Sequence, residues 1–256
     1  MKRWQIISAM IGGYIFSLIA NVPASHVLGY LQRHGTLPVN ISGVDGSIWL
    51  GHADKLSWPG KPNLENLDWS LNPFALLMGR LSASINATIQ KHPVSGDVSK
   101  HFIGGDIYLS DVTTKIPAKT LQQLLDIPFG ELDGDVEINL DSAQFKPNLA
   151  PIIEARIFWQ HAKLTLEQTI DMGQINITVA PNKTNQTTIG LTNSGGDLSL
   201  SGDINIATDR GYVLNMNLKP KEATGDVAQS LNLFAQRQAD GSYKFKQNGN
   251  LRQLGF

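Results

Sequence analysis

Apolar and polar residues alternate one by one over much of this chain. Gly134 to Asp141 sets Val136, Ile138 and Leu140 on one side and Asp135, Glu137 and Asn139 on the other. Gln174 to Ala180 repeats the pattern with Ile175, Ile177 and Val179. Asp197 to Leu200, Asp203 to Ala207 and Tyr212 to Leu218 continue it through Leu198, Leu200, Ile204, Ile206, Tyr212, Leu214, Met216 and Leu218. A period of two describes strands with one packed and one wet face, as in an antiparallel sheet. A Gly-Asp-aliphatic phrase recurs at Gly96-Asp97, Gly105-Asp106, Gly134-Asp135, Gly196-Asp197 and Gly202-Asp203. It predicts a turn or bulge that launches a strand, because Gly takes unusual backbone angles and Asp bonds nearby N–H groups. Its spacing is too irregular, and its ligands too sparse, for a calcium repeat.

Three short stretches break the period and read as helix. Asn72 to Gly79 has an N-cap, a first-turn Pro and a terminal Gly. Ala118 to Asp126 spaces Leu121, Leu124 and Leu125 helically between Pro117 and Pro128, and Asp226 to Ala235 does so with Val227, Leu231 and Phe234. Asp240-Gly241 marks a hairpin, and Asn182 to Gln186 reads as a loop or hairpin tip.

The N-terminus has a different pattern. Lys2 and Arg3 precede an apolar run from Trp4 to Val22, with no charged residue before Arg33. The run is long enough to cross a bilayer, and two basic residues ahead of it predict a cytoplasmic start. A cleaved signal peptide ending at Ala24 is the rival reading. The length of the run, Trp4 and Tyr14 as interface aromatics, and Gly12-Gly13 favour retention. The expected organisation is therefore a membrane-spanning helix at 1–24 and an exported, periplasmic β-rich domain at 25–256. The expected fold is mainly β, an antiparallel-rich sheet forming a groove, open barrel or sandwich with a few short helices.

Composition narrows the chemistry. There are 21 basic and 22 acidic residues, for a net charge of -1, which supplies no footprint for nucleic acid. No cysteine is present, so disulfides, thiol nucleophiles and Cys-based zinc sites are excluded. His26, His34, His52, His92, His101 and His161 form no helical zinc motif, and no metal site is expected. Serine-hydrolase, phosphate-loop and dinucleotide signatures are missing, so neither catalytic residues nor a cofactor is expected. No Asp or Glu is singled out by its context, which makes a hydrolase built on paired carboxylates the weakest functional reading.

Three of the five tryptophans, Trp49, Trp58 and Trp69, fall within 21 positions. They are candidate core aromatics near the membrane end, or candidate partner-docking residues, since large aromatics serve both purposes. The neighbours Ile48 and Leu50 place Trp49 in an ordinary strand context.

Here the chain resembles the type II secretion system protein N family. Gly46-Ser47-Ile48-Trp49-Leu50-Gly51 is similar to the family's G-x-[IL]-W-x-G. Leu67-Asp68-Trp69-Ser70-Leu71-Asn72-Pro73 is similar to its W-x-[LF]-x-P, and Leu76-Leu77-Met78-Gly79-Arg80-Leu81 to its L-L-x-G-x-[LV]. Asp240-Gly241-Ser242-Tyr243 through Gly249-Asn250-Leu251 fits as well, so the resemblance runs nearly end to end. It implies a non-enzymatic inner-membrane component of the Gram-negative type II secretion machine, single-pass, helping export folded proteins from the periplasm by docking other secretion subunits. It supplies no catalytic residues. The Gly-Asp-strand texture also resembles the wider group of membrane-anchored periplasmic proteins that includes AsmA. That resemblance implies the alternative, a lipid-binding or lipid-transfer protein whose apolar sheet face holds lipid. The expected partners are thus other secretion subunits, the lipid bilayer and a bound lipid.

Overall fold

The computed structural model describes residues 10, 14, 17, 21–34, 39–128, 130–147, 149–166, 168–182, 184, 186–222, 224–232 and 235–251. The chain divides into two compact units, Met1–Pro93 and Val94–Phe256.

The first unit carries an antiparallel meander of β1 (Asn40–Gly46), β2 (Leu50–Ser57), β3 (Leu64–Leu71) and β4 (Arg80–Ile89), paired in that order. Ahead of it lies helix α1 (Ala24–Arg33), and helix α2 (Pro73–Leu77) forms the β3–β4 connection. Pro23, extended at φ -68 and ψ 131, starts α1, and Arg33 sits in its last turn, where a cation suits the helix dipole. Ala24, Val27, Leu28 and Leu31 recur at i, i+3, i+4 and i+7 and line an apolar cavity with the sheet. The wet face of the sheet is charged, with Asp45, His52 and Asp68 opposed across β1, β2 and β3.

The second unit contains β5 (His92–His101, from Val94 onward), β6 (Ile107–Pro117), β7 (Glu131–Phe145), β8 (Ile152–Thr165), β9 (Thr169–Pro181), β10 (Thr187–Ser194), β11 (Leu198–Ile206), β12 (Gly211–Pro220), β13 (Gln236–Arg237) and β14 (Tyr243–Asn250). Each pairs antiparallel with the next, except that β14 lies between β12 and β13. The predicted alternation is present: Val136, Ile175, Val179, Leu198, Leu200 and Leu218 are buried. On β7 it holds only as far as Leu140. A register shift between Leu140 and Ser142 moves the next buried position to Ala143, because one extra residue inverts the facing of everything beyond it.

Helix α3 (Ala118–Leu125) joins β6 to β7, and helix α4 (Asp226–Leu231) joins β12 to β13. Leu231 of α4 packs with Leu198, Leu200, Leu218 and Tyr243, so this helix covers part of the apolar face. Gln122 of α3 ties down the following loop: its Nε2 donates to Ile127 O and Gly130 O, and its Oε1 accepts the Leu132 N–H. All three predicted helices after the N-terminus are present, the last ending at Leu231; Phe234 lies outside the described residues. The Asp240-Gly241 hairpin forms between β13 and β14, with Gln238 N–H bonded to Ser242 O.

The Gly-Asp phrases divide into three structural roles. Gly105-Asp106 and Gly196-Asp197 precede β6 and β11 and launch them, as expected. Gly96 and Gly134 lie at register shifts inside β5 and β7. Gly134 has φ 105, and a Cβ there would stand 2.6 Å from His161 O, so only glycine fits that bulge. Gly202-Asp203 sits in regular β11 pairing.

The N-terminal expectation is corrected. Among the described residues no helix is long and apolar enough to cross a membrane. The expected span falls mostly outside those residues, with Met10, Tyr14, Ser17 and 21–24 as its described part. Helix α1 has 10 residues and includes His26, Gln32 and Arg33. It is about 15 Å long, half of a roughly 30 Å hydrocarbon core. The described residues therefore form antiparallel β-sheet with short helices, none of them a spanning helix. The transmembrane, single-pass placement in an inner membrane, with a cytoplasmic start, has no described helix to carry it.

Candidate functional site

The Trp-rich segments of the sequence resemblance, Gly46–Gly51 and Leu67–Leu81, converge at one end of the first unit. Gly46 and Gly51 are register partners that close the β1–β2 hairpin, and Ser47 to Trp49 form its loop. Ser47 organises that loop. Its Oγ accepts the N–H groups of Trp49 at 3.2 Å and Leu50 at 3.1 Å, while its own N–H donates to Leu50 O at 2.9 Å. Trp49 therefore sits in a hairpin bend rather than in a strand. Its carbonyl accepts the Leu71 N–H at 2.7 Å, which joins the loop to the end of β3.

Trp69 of β3 is the second fastening. Its indole Nε1 donates to Ile48 O at 3.1 Å, and its ring lies over Gly51, its register partner on β2. A Cβ on Gly51 would stand 2.7 Å from Trp69 Cε2 and 2.9 Å from Asp45 O, so the glycine makes room for the indole. The structure thus brings Trp49 and Trp69 to one loop. Trp58 follows the other end of β2, ahead of the Pro59-Gly60 turn, and does not join them. All three are half-buried.

Beyond β3 the same block forms α2. Asn72 is its cap: Oδ1 accepts the Phe74 N–H at 3.0 Å and the Ala75 N–H at 3.4 Å, and Pro73 occupies the first turn. This frees no side chain for catalysis. It fixes a short helix whose apolar residues point outward. Phe74 is 73% exposed, Leu77 86% and Met78 76%, and Leu50 of the neighbouring hairpin is 70% exposed. Only Ala75 of the helix is buried. Five residues make less than two turns, so one face cannot hide Phe74, Leu76, Leu77 and Met78 together. Sequence reasoning found the helix and missed this apolar tip. The available signal was the unbroken apolar run from Phe74 to Met78, which no single helix face can absorb. The second unit exposes a smaller pair, Phe102 and Ile103, at its β5–β6 turn.

The charged face nearby holds one perturbed group. His52 Nδ1 pairs with Asp68 Oδ1 at 2.8 Å, and Nε2 lies 3.4 Å from Asp54 Oδ1. The hydrogen bond to Asp68, opposed by a weaker desolvation effect and reinforced by Asp54, raises the His52 pKa above its usual 6.5. Three ionisable groups in a row do not make a metal site here: among the described residues no three His, Cys, Asp or Glu side chains are placed to hold an ion.

A family model described as Type II secretion system (T2SS), protein N matches residues 38–246, which run from ahead of β1 into β14 and include the Trp-rich block. The Type II secretion system protein N of Vibrio cholerae serotype O1 is 25% identical over 242 residues, 92% of this chain and 93% of that one. The protein of the same description from Klebsiella pneumoniae is 25% identical over 215 residues, 82% of this chain and 81% of its own length. No solved structure matches. The matched span covers most of the chain, and the chain therefore belongs to the type II secretion system protein N family, a non-enzymatic family.

Proposed function

We propose that this chain serves type II secretion as a docking component, and that the α2 tip of the first unit seats against another secretion subunit. The observation that carries the reading is the exposed group Leu50, Phe74, Leu77 and Met78, held out by the most specific segments of the sequence. Large apolar side chains grouped in water mark interaction surfaces, and Phe and Met are enriched in the centres of interfaces. The supports beneath them (the Asn72 cap, the Trp69–Ile48 bond and the Ser47 loop) give the tip a fixed shape, which lowers the ordering cost of binding. Trp49 and Trp69 then act as positioning residues under the tip, and Trp58, half-buried beyond the other end of β2, has no part in it. Family membership names the class of partner.

The test is the double substitution Phe74→Asp with Leu77→Asp in the full chain, expressed in a cell with a working type II system. Both sites are exposed, so stability should change by no more than about 0.5 kcal/mol each. Secretion subunits should no longer co-purify, and export of secreted proteins should fall. Retained co-purification by the folded variant would refute the assignment of the tip.

A further inference from the structure

The first unit contains a cavity of about 460 Å³ between α1 and its sheet. Twelve residues line it and all are apolar; Leu28 and Leu31 form the helix side, and Leu67, Trp69 and Ile85 lie on the sheet side. The single polar atom among those side chains, Trp69 Nε1, is already bonded to Ile48 O at 3.1 Å. Nothing on the lining side chains can therefore satisfy a buried hydroxyl, amide or charge, and such a group would enter at a heavy desolvation cost. The lining suits hydrocarbon.

We infer that this cavity is a binding site for one hydrocarbon chain of a fatty acid or lipid, with the polar headgroup left in solvent. Size agrees. A cavity of about 150 Å³ accepts one six-carbon ring, so roughly three times that volume takes a chain of roughly 15–18 carbons. An opening is present as well. Val27 and Leu81 line the cavity and are also 36% and 40% exposed, so a headgroup can remain in water beside them. The roof is lightly held. Beyond its apolar face, α1 is joined to the sheet region by Gln32 Nε2 donating to Ile41 O at 3.3 Å and by Ile48 N–H donating to Val22 O at 3.0 Å, on either side of the Pro23 entry. Among the described residues these bonds and the Pro23–Ser47 bridge hold α1 to the sheet region near its two ends, which leaves its middle to lift and admit a chain. The cavity shares Trp69 and Ile48 with the supports of the α2 tip but none of the exposed tip residues, and it does not depend on the docking reading.

The experiment titrates the full-length protein with dibrominated stearate, and in a second arm with vesicles of dibrominated phosphatidylcholine. Bromine quenches indole at contact, and Trp69 lines the cavity. The expected result is quenching that saturates at one chain per protein and is largely lost in Trp69→Phe. Ala83→Phe, which fills the sheet side, should weaken binding roughly tenfold or more. If Ala83→Phe fails to fold, Leu28→Trp on the roof replaces it, with the same loss expected for the dansylated fatty acid as probe. Quenching by stearate alone assigns a free fatty acid, and quenching by vesicles assigns a membrane lipid. No saturable quenching in either arm, or filled variants that bind as well as wild type, would overturn the inference.

Discussion

Gly51→Ala tests whether Trp69 is fastened as described. The added methyl would stand 2.7 Å from Trp69 Cε2 and 2.9 Å from the Asp45 carbonyl, distances that real Cβ atoms do not tolerate. The indole is the part that can move, but moving it breaks the bond from Nε1 to Ile48 O. Overpacking of this kind costs about 1–3 kcal/mol, and the lost hydrogen bond about 1 kcal/mol more, so the expected destabilisation is about 2–4 kcal/mol. Trp69→Leu alone loses the same bond and much of the ring contact. The double variant should cost far less than the two single costs added. Leucine has no second ring over Gly51, and the bond is already gone; only the Asp45 carbonyl contact remains. The coupling should be about 1–3 kcal/mol, as for residues in direct contact. Urea unfolding followed by tryptophan fluorescence reads mainly the first unit, which holds four of the five tryptophans, with Trp159 the one in the second. Additivity within about 0.5 kcal/mol, or a Gly51→Ala variant that is neutral, would refute the proposed packing.

Asn72→Ala removes the α2 cap and should cost about 0.5–2 kcal/mol in the same assay, while Asn72→Asp should retain most of it; equal losses would show that the Oδ1 bonds to Phe74 and Ala75 are unimportant. The Tyr243 ring is 1% exposed, and its hydroxyl has no hydrogen-bond partner among the described residues. Tyr243→Phe should therefore change stability by less than about 0.5 kcal/mol, whereas Tyr243→Ala should cost about 3–5 kcal/mol; a costly Phe variant would reveal a bond made by the hydroxyl. His52 faces Asp45, Asp54 and Asp68, and its folded-state pKa is raised above 6.5, chiefly by Asp68. The stabilisation this brings is complete below pH 6.5 and is lost as pH rises through the folded value. A stability-against-pH profile should fall across that window in the wild type and flatten there in His52→Gln; parallel profiles would contradict the pairing.

The strands of the second unit were readable because their apolar positions keep a period of two over long stretches, as at Ile175, Ile177 and Val179, the first and last of them buried. The bulge at Asp141 was not, since nothing in a run of alternating residues announces an inserted one. The first four strands gave a weaker pattern. β1 has only Ile41 and Val44 as apolar positions, three apart across a left-handed Gly43, a spacing that fits no strand period. Trp49 looked like a strand residue because Ile48 and Leu50 flank it. The Ser47 side chain, which turns the backbone at that point, leaves no periodic trace. Helix α2 was legible from Asn72-Pro73, but its exposure was not, because burial depends on what the rest of the fold brings near it. The cavity under α1 could not be anticipated for the same reason. Two thirds of its lining comes from Trp69 and residues on β4 and α1 that are far apart in sequence. The N-terminal apolar run illustrates a different limit: length and hydropathy predict a span, and the described helix that follows, α1, is too short and too polar to be one.

The most direct measurement places a photo-crosslinking residue at Leu77, and separately at Ile103 on the exposed turn of the second unit, in cells with a working type II system. Both positions are open to solvent, at 86% and 92%. Docking through α2 predicts that Leu77 crosslinks to an identified secretion subunit and Ile103 does not. Secretion-subunit crosslinks from Ile103 alone, or from neither position while the protein still co-purifies with the machinery, would contradict it.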